Sequence, residues 1–437
     1  MHLLAAKPGG FVDDEGIVDL GQTPAPIVIL AAADSTLAAL AEVAEDSPER
    51  FPSLRLANWL QLMKPAAFDL YEHKVLDHAR LVVVSLLGGA SYWRYGYERL
   101  QHWAQGQTAA GEPRQLIVVP GDDTPDPELD ALCTVDPRQV RRVWRYLRES
   151  GRDNLGQLLQ FLASEFFGDA GTWQEPRALP ACLLYLPGAA LGSAVSLDQW
   201  RQRWARDPDW ETRPVCALLF YRSHLQAANT AVFDQLVEVL ERSGSNPLPI
   251  AVSSLKDPES LALSYALIGQ SGCRLIINTT GFASNTVSSP GTASEPTHFE
   301  PQFDADVAVL QVLLASSTEQ DWVQHSQGLR SRDMAMQVVL PEMDGRVITR
   351  AVSFKAESWY SDRCQSAVLR YALHAERAAF VSELAARYCA LSSKANGDKR
   401  IALVLANYPT RDGRIGNGVG LDTPASTITI LRALLQA

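Results

Sequence analysis

The stretch GLRSRDMAMQVVLPEMDGRVITRAVSFK, residues 328–355, gathers Arg330, Arg332, Arg346, Arg350 and Lys355 against Asp333, Glu342 and Asp344. This local excess of positive charge stands in a chain whose net charge is −11. Guanidinium groups present forked donors that match carboxylates, so a ligand bearing several carboxylates fits the pattern. A solvated hairpin laced with surface ion pairs, each worth about 0–1 kcal/mol, fits it too. The histidines form no HExxH or HxH pair. His224 closes an apolar run beside Arg222, and His374 stands just before Glu376 and Arg377. Single imidazoles of this kind are ordinarily structural, but accepting a proton or handing over a metal takes only one or two of them.

A second stretch with chemical content is NYPTRDGRIGNGVGLD, residues 407–422. A phosphate loop of the GxxxxGK[ST] type needs a lysine and a Ser/Thr that are absent here. A dinucleotide fingerprint needs GxGxxG, and Gly416, Gly418 and Gly420 bring the third glycine one residue early. What remains is a long glycine-rich loop carrying Arg411 and Arg414, able to bring backbone close to a ligand. Asp422, Thr423 and Pro424 then read as a capped helix start.

The elements that must position these residues follow from composition and periodicity. The chain has 437 residues, 46% of them hydrophobic and 20% charged, as an ordinary globular protein does. At roughly 100–200 residues per domain it holds two to four domains. The acidic balance argues against a nucleic-acid or membrane-surface partner. Six cysteines are placed singly without a CxxC pair, so neither a zinc site nor a disulfide framework is indicated. No run approaches the roughly 20 apolar residues of a membrane span, and the N-terminal apolar patch is too short for a signal segment. A cytoplasmic location is expected.

The patterning predicts an α/β, multidomain chain: successive doubly wound, mostly parallel sheets joined by a helical connector. Residues 1–130 read as an N-terminal α/β head, with strands in IVILAAA, LRLANW, ARLVVVSLLGG and QLIVVPG. Residues 131–212 read as a mainly helical connector with a short strand in ACLLYLPG, and residues 213–360 as a second α/β domain. Residues 336–355 are expected to form a strand, a turn and a second strand. A long helix is expected over 364–392, and a strand over 400–408 opens a third α/β unit, so that residues 361–437 look like the start of a domain in a longer protein. Ligands of open α/β sheets sit beyond the carboxyl ends of strands. Here those ends carry YRSH, NTTGFASN, LASSTEQ and the glycine-rich loop.

Four stretches, LPEMDGRVITRAVSFK, RIALVLANYPTRDGRIGNGVGLDTPAS, FYRSHLQAANTAVFDQLVEVLE and LLGGASYWRYG, together resemble the CobN family. These are the large subunits of aerobic cobaltochelatases, similar in turn to the large, H-type subunits of magnesium chelatases. The resemblance runs in order along essentially the whole chain, although the family's subunits are much longer. It implies insertion of Co²⁺ into hydrogenobyrinic acid a,c-diamide, a ring bearing several carboxylates. It also implies that ATP and its Mg²⁺ sit on a separate AAA+ ATPase subunit, working with a metal-binding-domain partner of CobS/CobT type. That division fits the missing phosphate loop. The family's LPE-DG motif falls on Glu342 and Asp344, its basic/His helix on His374, and its glycine loop on residues 407–422. Metal entry requires ring N–H protons to leave, which a nearby carboxylate or imidazole can accept, so Glu342 and His374, at positions the resemblance marks, are the expected acceptors and candidate metal contacts. His224, Arg330, Arg346, Arg350, Asn407, Arg411, Arg414, Asn417 and Asp422 are the expected substrate-binding residues. A magnesium-branch large subunit, and a non-catalytic fragment that binds tetrapyrrole or partner, remain as alternatives. The form NYPTRDGRIGNGVGLDTPAS favours the cobalt branch, and the isolated fragment is expected to be inactive.

Overall fold

The computed structural model describes residues 3–5, 17–122, 124–188, 195–227, 229–283, 307–405, 416 and 420–437. Two compact units divide the chain, Met1–Ala385 and Ala386–Ala437.

In the first unit a short parallel pair, β1 (Leu3–Ala5) and β2 (Ile17–Asp19), precedes a four-stranded parallel sheet. That sheet contains β3 (Ile27–Ala31), β4 (Leu54–Asn58), β5 (Leu81–Leu86) and β6 (Gln115–Pro120) in the order β4-β3-β5-β6. All four are compact apolar runs, as strands covered on both faces must be. On one face, helices Asp34–Glu45, Pro137–Glu149 and Gly151–Phe167 pack around Leu40, Tyr146 and Phe161. Two of these helices were expected in the connector, and their apolar stripes instead complete this core. On the other face, helices Pro65–Lys74 and Arg94–Ala104 pack around Trp59, Phe68 and Trp103. Trp59 stacks on Trp93 at 5.0 Å, and its indole N–H donates to the Ser85 carbonyl.

The second sheet has seven strands: β7 (Cys182–Leu184), β8 (Val215–Tyr221), β9 (Asn246–Val252), β10 (Cys273–Asn278), β11 (Ala308–Leu314), β12 (Val347–Ser361) and β13 (Ser366–Leu373). Their order is β13-β12-β11-β10-β8-β9-β7, with only the edge strands β7 and β13 antiparallel. Within it, β9-β8-β10-β11-β12 repeats the winding of the first sheet. The order of winding reverses between the parallel strands β8 and β10, the point at which doubly wound sheets of this order hold ligands.

Local signals set the helix starts. Ser196 and Gln199 form a reciprocal capping box on helix Leu197–Trp204. Asp257 caps helix Pro258–Ser271, which Gly272 ends with φ +67°. Thr318 caps helix Glu319–Gln324.

Three expectations are corrected. Residues 336–341 do not form a strand: a π-helical turn spans Met334–Val339 and a helical turn follows at Leu340–Met343. The run MQVVLP is too short for periodicity to separate helix from strand, and Pro341 sits comfortably at a helix start. The long helix begins at Ala375, not 364, because SAVLRYAL pairs as β13 against β12. Finally, residues 401–405 carry no strand, and 406–408 lie outside the described residues.

The β12–β13 hairpin outgrows its own sheet and reaches the first one. The Leu56 N–H donates to the Cys364 carbonyl at 3.4 Å, and Gln22 Nε2 donates to the Gln365 carbonyl at 2.8 Å. Ser361 Oγ donates to Glu45 at 2.6 Å, and Arg370 pairs with Glu42. Cys364 and Val368 join the core beneath helix Asp34–Glu45.

The second unit carries the end of helix Ala375–Ser393, a short turn at Asn396–Asp398 and helix Thr423–Gln436. Asp422 accepts from the Ala425 N–H at 3.0 Å, so its carboxylate is the N-cap. Among the described residues no helix is long and apolar enough to cross a membrane. No disulfide joins the six cysteines.

Candidate functional site

The carboxyl ends of β8, β10 and β11 converge with the segment between β11 and β12. Tyr221, at the end of β8, donates its hydroxyl to the Gly281 carbonyl at 3.0 Å. Beyond β11, helix Glu319–Gln324 lies against β12, and Trp322 packs on Phe354 at 5.1 Å. The Arg377 guanidinium lies 4.7 Å from the Trp322 ring. Several sequence-derived candidates gather around this aromatic pair. His374 is part-exposed, with Nε2 3.6 Å from Glu319 and its ring 6.3 Å from Phe354. Arg330 reaches Asp321 at 3.2 Å. Arg350 lies 3.6 Å from Glu376 and stacks on the Phe380 ring at 3.4 Å. These three therefore share one end of the second sheet, each beside a carboxylate of the fold.

Glu342 is exposed on the turn Leu340–Met343. No hydrogen bond or ion pair joins it to His374 among the described residues. Arg346 stands apart from the other arginines. It is 4% exposed and pairs with Asp344 at 2.7 Å, inside a polar network with Gln311. Burial pulls its guanidinium below the ordinary range while Asp344 opposes that shift, which leaves the group charged at any accessible pH. So placed, its donors reach Asp344, Gln311 and the Thr280 carbonyl.

His224 is buried, 9% exposed, between the rings of Phe233 and Tyr371 at 4.8 and 5.6 Å. Its Nδ1 has no hydrogen-bond partner among the described residues. Burial, and next to it the charge of Lys355, push the imidazole down to about 4, so it is neutral near pH 7. The sequence gives no sign of the ion pair beside it, Lys355–Asp34, which joins β12 to the first sheet. Burial pulls the Lys355 ammonium down, but the charge and hydrogen bond of Asp34, with Tyr371 beside it, hold it above its ordinary value. Asp34 also accepts from Asn58 Nδ2 at 2.6 Å. Lys355 was legible as part of the basic stretch, and Asp34 directly follows the apolar run IVILAAA. Nothing in one sequence pairs residues so far apart. A cavity of about 430 Å³ opens next to this pair, between β4 and the hairpin, lined by Asn58, Gln61, Glu357, Tyr360 and Ser366.

No group of three His, Cys, Asp or Glu side chains gathers at metal-holding distance among the described residues. Asn407, Arg411, Arg414 and Asn417 lie outside the described residues.

A family model described as CobN/Magnesium Chelatase matches residues 144–437. The aerobic cobaltochelatase subunit CobN of Pseudomonas aeruginosa is 50% identical over 436 residues, covering 100% of this chain and 33% of that protein. The CobN protein of Sinorhizobium sp is 39% identical over 440 residues, with the same coverages of 100% and 33%. The H-type magnesium-chelatase protein of Chlorobaculum parvum is more distant, 27% identical over 305 residues, covering 67% of this chain and 22% of that protein. Among solved structures, the catalytic subunit of cobaltochelatase from Mycobacterium tuberculosis aligns with a TM-score of 0.54 at 28% identity, covering 95% of this chain and 31% of that one. The chain spans about a third of the length of the curated relatives it matches. On the extent of the family match and the identity to its cobalt-branch members, the chain belongs to the CobN/magnesium chelatase family.

Proposed function

We propose that this chain forms part of the large, tetrapyrrole-binding subunit of a cobaltochelatase that inserts Co²⁺ into hydrogenobyrinic acid a,c-diamide. The observation that carries this reading is the 50% identity to a CobN protein along the whole chain, against 27% to an H-type magnesium-chelatase protein over part of it. The sheet ends support it: exposed Glu342 and part-exposed His374 are proton acceptors, and Arg330 and Arg350 supply cations for ring carboxylates.

The corrin ring binds metal as a monoanion, so one ring N–H proton must leave as Co²⁺ enters. A carboxylate or an imidazole that is open to solvent takes it up and passes it on. Arg411 and Arg414 of the glycine-rich loop add donors to the same ring, with Asn407 and Asn417 as further polar contacts. His224 and Arg346 play no part in substrate contact on this reading, since both are buried, and Asp422 acts through its helix cap. ATP is hydrolysed on a separate AAA+ partner of CobS type, with a CobT-type protein beside it, in the cytoplasm.

Ten tryptophans make binding measurable. In the full-length protein, hydrogenobyrinic acid a,c-diamide should quench tryptophan fluorescence at concentrations where protoporphyrin does not. Equal quenching by both would favour the magnesium branch, and quenching by neither would remove the tetrapyrrole reading.

A further inference from the structure

Glu342 sits on a segment that crosses the ends of the central strands without belonging to the sheet. The segment runs through the turn Ser331–Asp333, the π-helix Met334–Val339 and the turn Leu340–Met343. A π-helix is wider than an α-helix and uncommon, so something must hold it. Three anchors do. At its start, Asp333 accepts from the backbone N–H and hydroxyl of Ser316 at 2.8 and 2.9 Å. In its middle, the Phe282 N–H donates to the Met336 carbonyl at 2.7 Å, and Gln337 exchanges two hydrogen bonds with the Leu314 backbone at 2.9 and 2.8 Å. At its end, Arg346 pairs with Asp344 at 2.7 Å and donates to Gln311 Oε1 at 3.1 Å. Gln311 donates to the Thr280 carbonyl at 2.9 Å and accepts from Asn278 at 2.8 Å.

The side chains of Arg346 and Asp344 are 1% and 0% exposed. A buried ion pair stabilises little compared with well-packed apolar residues of the same volume, but its directional bonds can fix one arrangement. Between the second and third anchors only Glu342 combines exposure with a titratable group. We infer that Arg346, with Asp344 and Gln311, is a positioning group that aims the Glu342 carboxylate, and not one of the arginines that hold the ring. This rests on the proposed role of Glu342.

The test uses the full-length protein with its ATPase partners, Co²⁺ and hydrogenobyrinic acid a,c-diamide. The variants are Glu342→Gln, Arg346→Lys, the two combined, and Asp344→Leu with Arg346→Met. A misplacement of about 1 Å can slow catalysis up to about a hundredfold, so Arg346→Lys should lower kcat at least about tenfold and leave KM and the macrocycle Kd within about twofold. In the Glu342→Gln background the same change should cost less than about twofold, because the group it aims is already gone. The apolar double variant should melt at or above the wild-type temperature and still insert cobalt slowly, separating aim from stability. A raised KM and Kd with unchanged kcat in Arg346→Lys would make Arg346 a ring contact after all and overturn the inference. Losses that multiply independently of Glu342 would overturn it too. A slow Glu342→Gln beside an unaffected Arg346→Lys removes the inference alone, whereas an unaffected Glu342→Gln removes the reading of Glu342 and the inference with it.

Discussion

His224 shows how burial decides what a residue can do. Its imidazole is pushed down to about 4 by burial and by the Lys355 ammonium. The unfolded chain takes up that proton near the ordinary histidine value of 6.5. Between those two pH values the unfolded state holds more protons, so stability is complete above about 6.5 and declines as pH falls through the window, by up to ~3 kcal/mol. His224→Phe keeps a ring between Phe233 and Tyr371 and should flatten that decline. Urea melts at pH 7 and pH 4.5 measure it, and equal declines in both proteins would show that His224 does not titrate in this way. Lys355 makes a companion case. Removing the ammonium in Lys355→Met leaves Asp34 enclosed without its cation, at a cost of roughly 3 kcal/mol, and adding Asp34→Leu should recover most of it. No recovery in the double variant would mean that the pair is replaceable only by its own charges. Both residues were visible in the sequence as polar groups near strand ends, but their meeting was not, because it depends on how two sheets are brought together.

At the scale of elements, most strands of both sheets were legible because they are apolar runs bounded by turn residues. Strands β3, β4, β5 and β6 stand where IVILAAA, LRLANW, LVVVS and QLIVVP predict them, and β8 to β11 are apolar runs of the same kind within the expected second α/β domain. The cap at Asp422 was legible for the same local reason, and the cap at Ser196 is a signal of the same kind. Ser196→Ala breaks a capping box and should cost about 1 kcal/mol in thermal or urea unfolding, and a negligible change would show that the helix is held by Trp200 and Trp204 alone. The failures have physical causes. MQVVLPEM has too few residues to reveal a period, and its π-helical turn is held by tertiary hydrogen bonds to Leu314 and Phe282 that no local pattern encodes. SAVLRYAL has the composition of a helix, and it becomes β13 because β12 offers an edge to pair with. The hairpin so formed is the device that ties the two sheets together.

For the molecule as a whole, the sheet order explains where a ligand can sit. Two similarly wound sheets present strand ends, and the candidate residues His374, Arg330 and Arg350 lie at one of them. The candidate site was partly legible: His374, Arg330 and Arg350 do lie near one another, around the Trp322 and Phe354 rings that the sequence did not single out. Arg346 was expected at the ligand and is instead buried against Asp344, because an arginine in a basic stretch carries no sign of its own burial. The central claim is that Glu342 accepts a proton from a macrocycle as Co²⁺ enters. The direct measurement is single-turnover cobalt insertion by the full-length Glu342→Gln protein with its ATPase partners, alongside macrocycle binding by tryptophan quenching. Removing a general base typically costs a factor of about 10²–10⁴, so insertion should slow by at least about a hundredfold while the macrocycle Kd stays within about twofold of wild type. Insertion at the wild-type rate, with binding intact, would contradict the account.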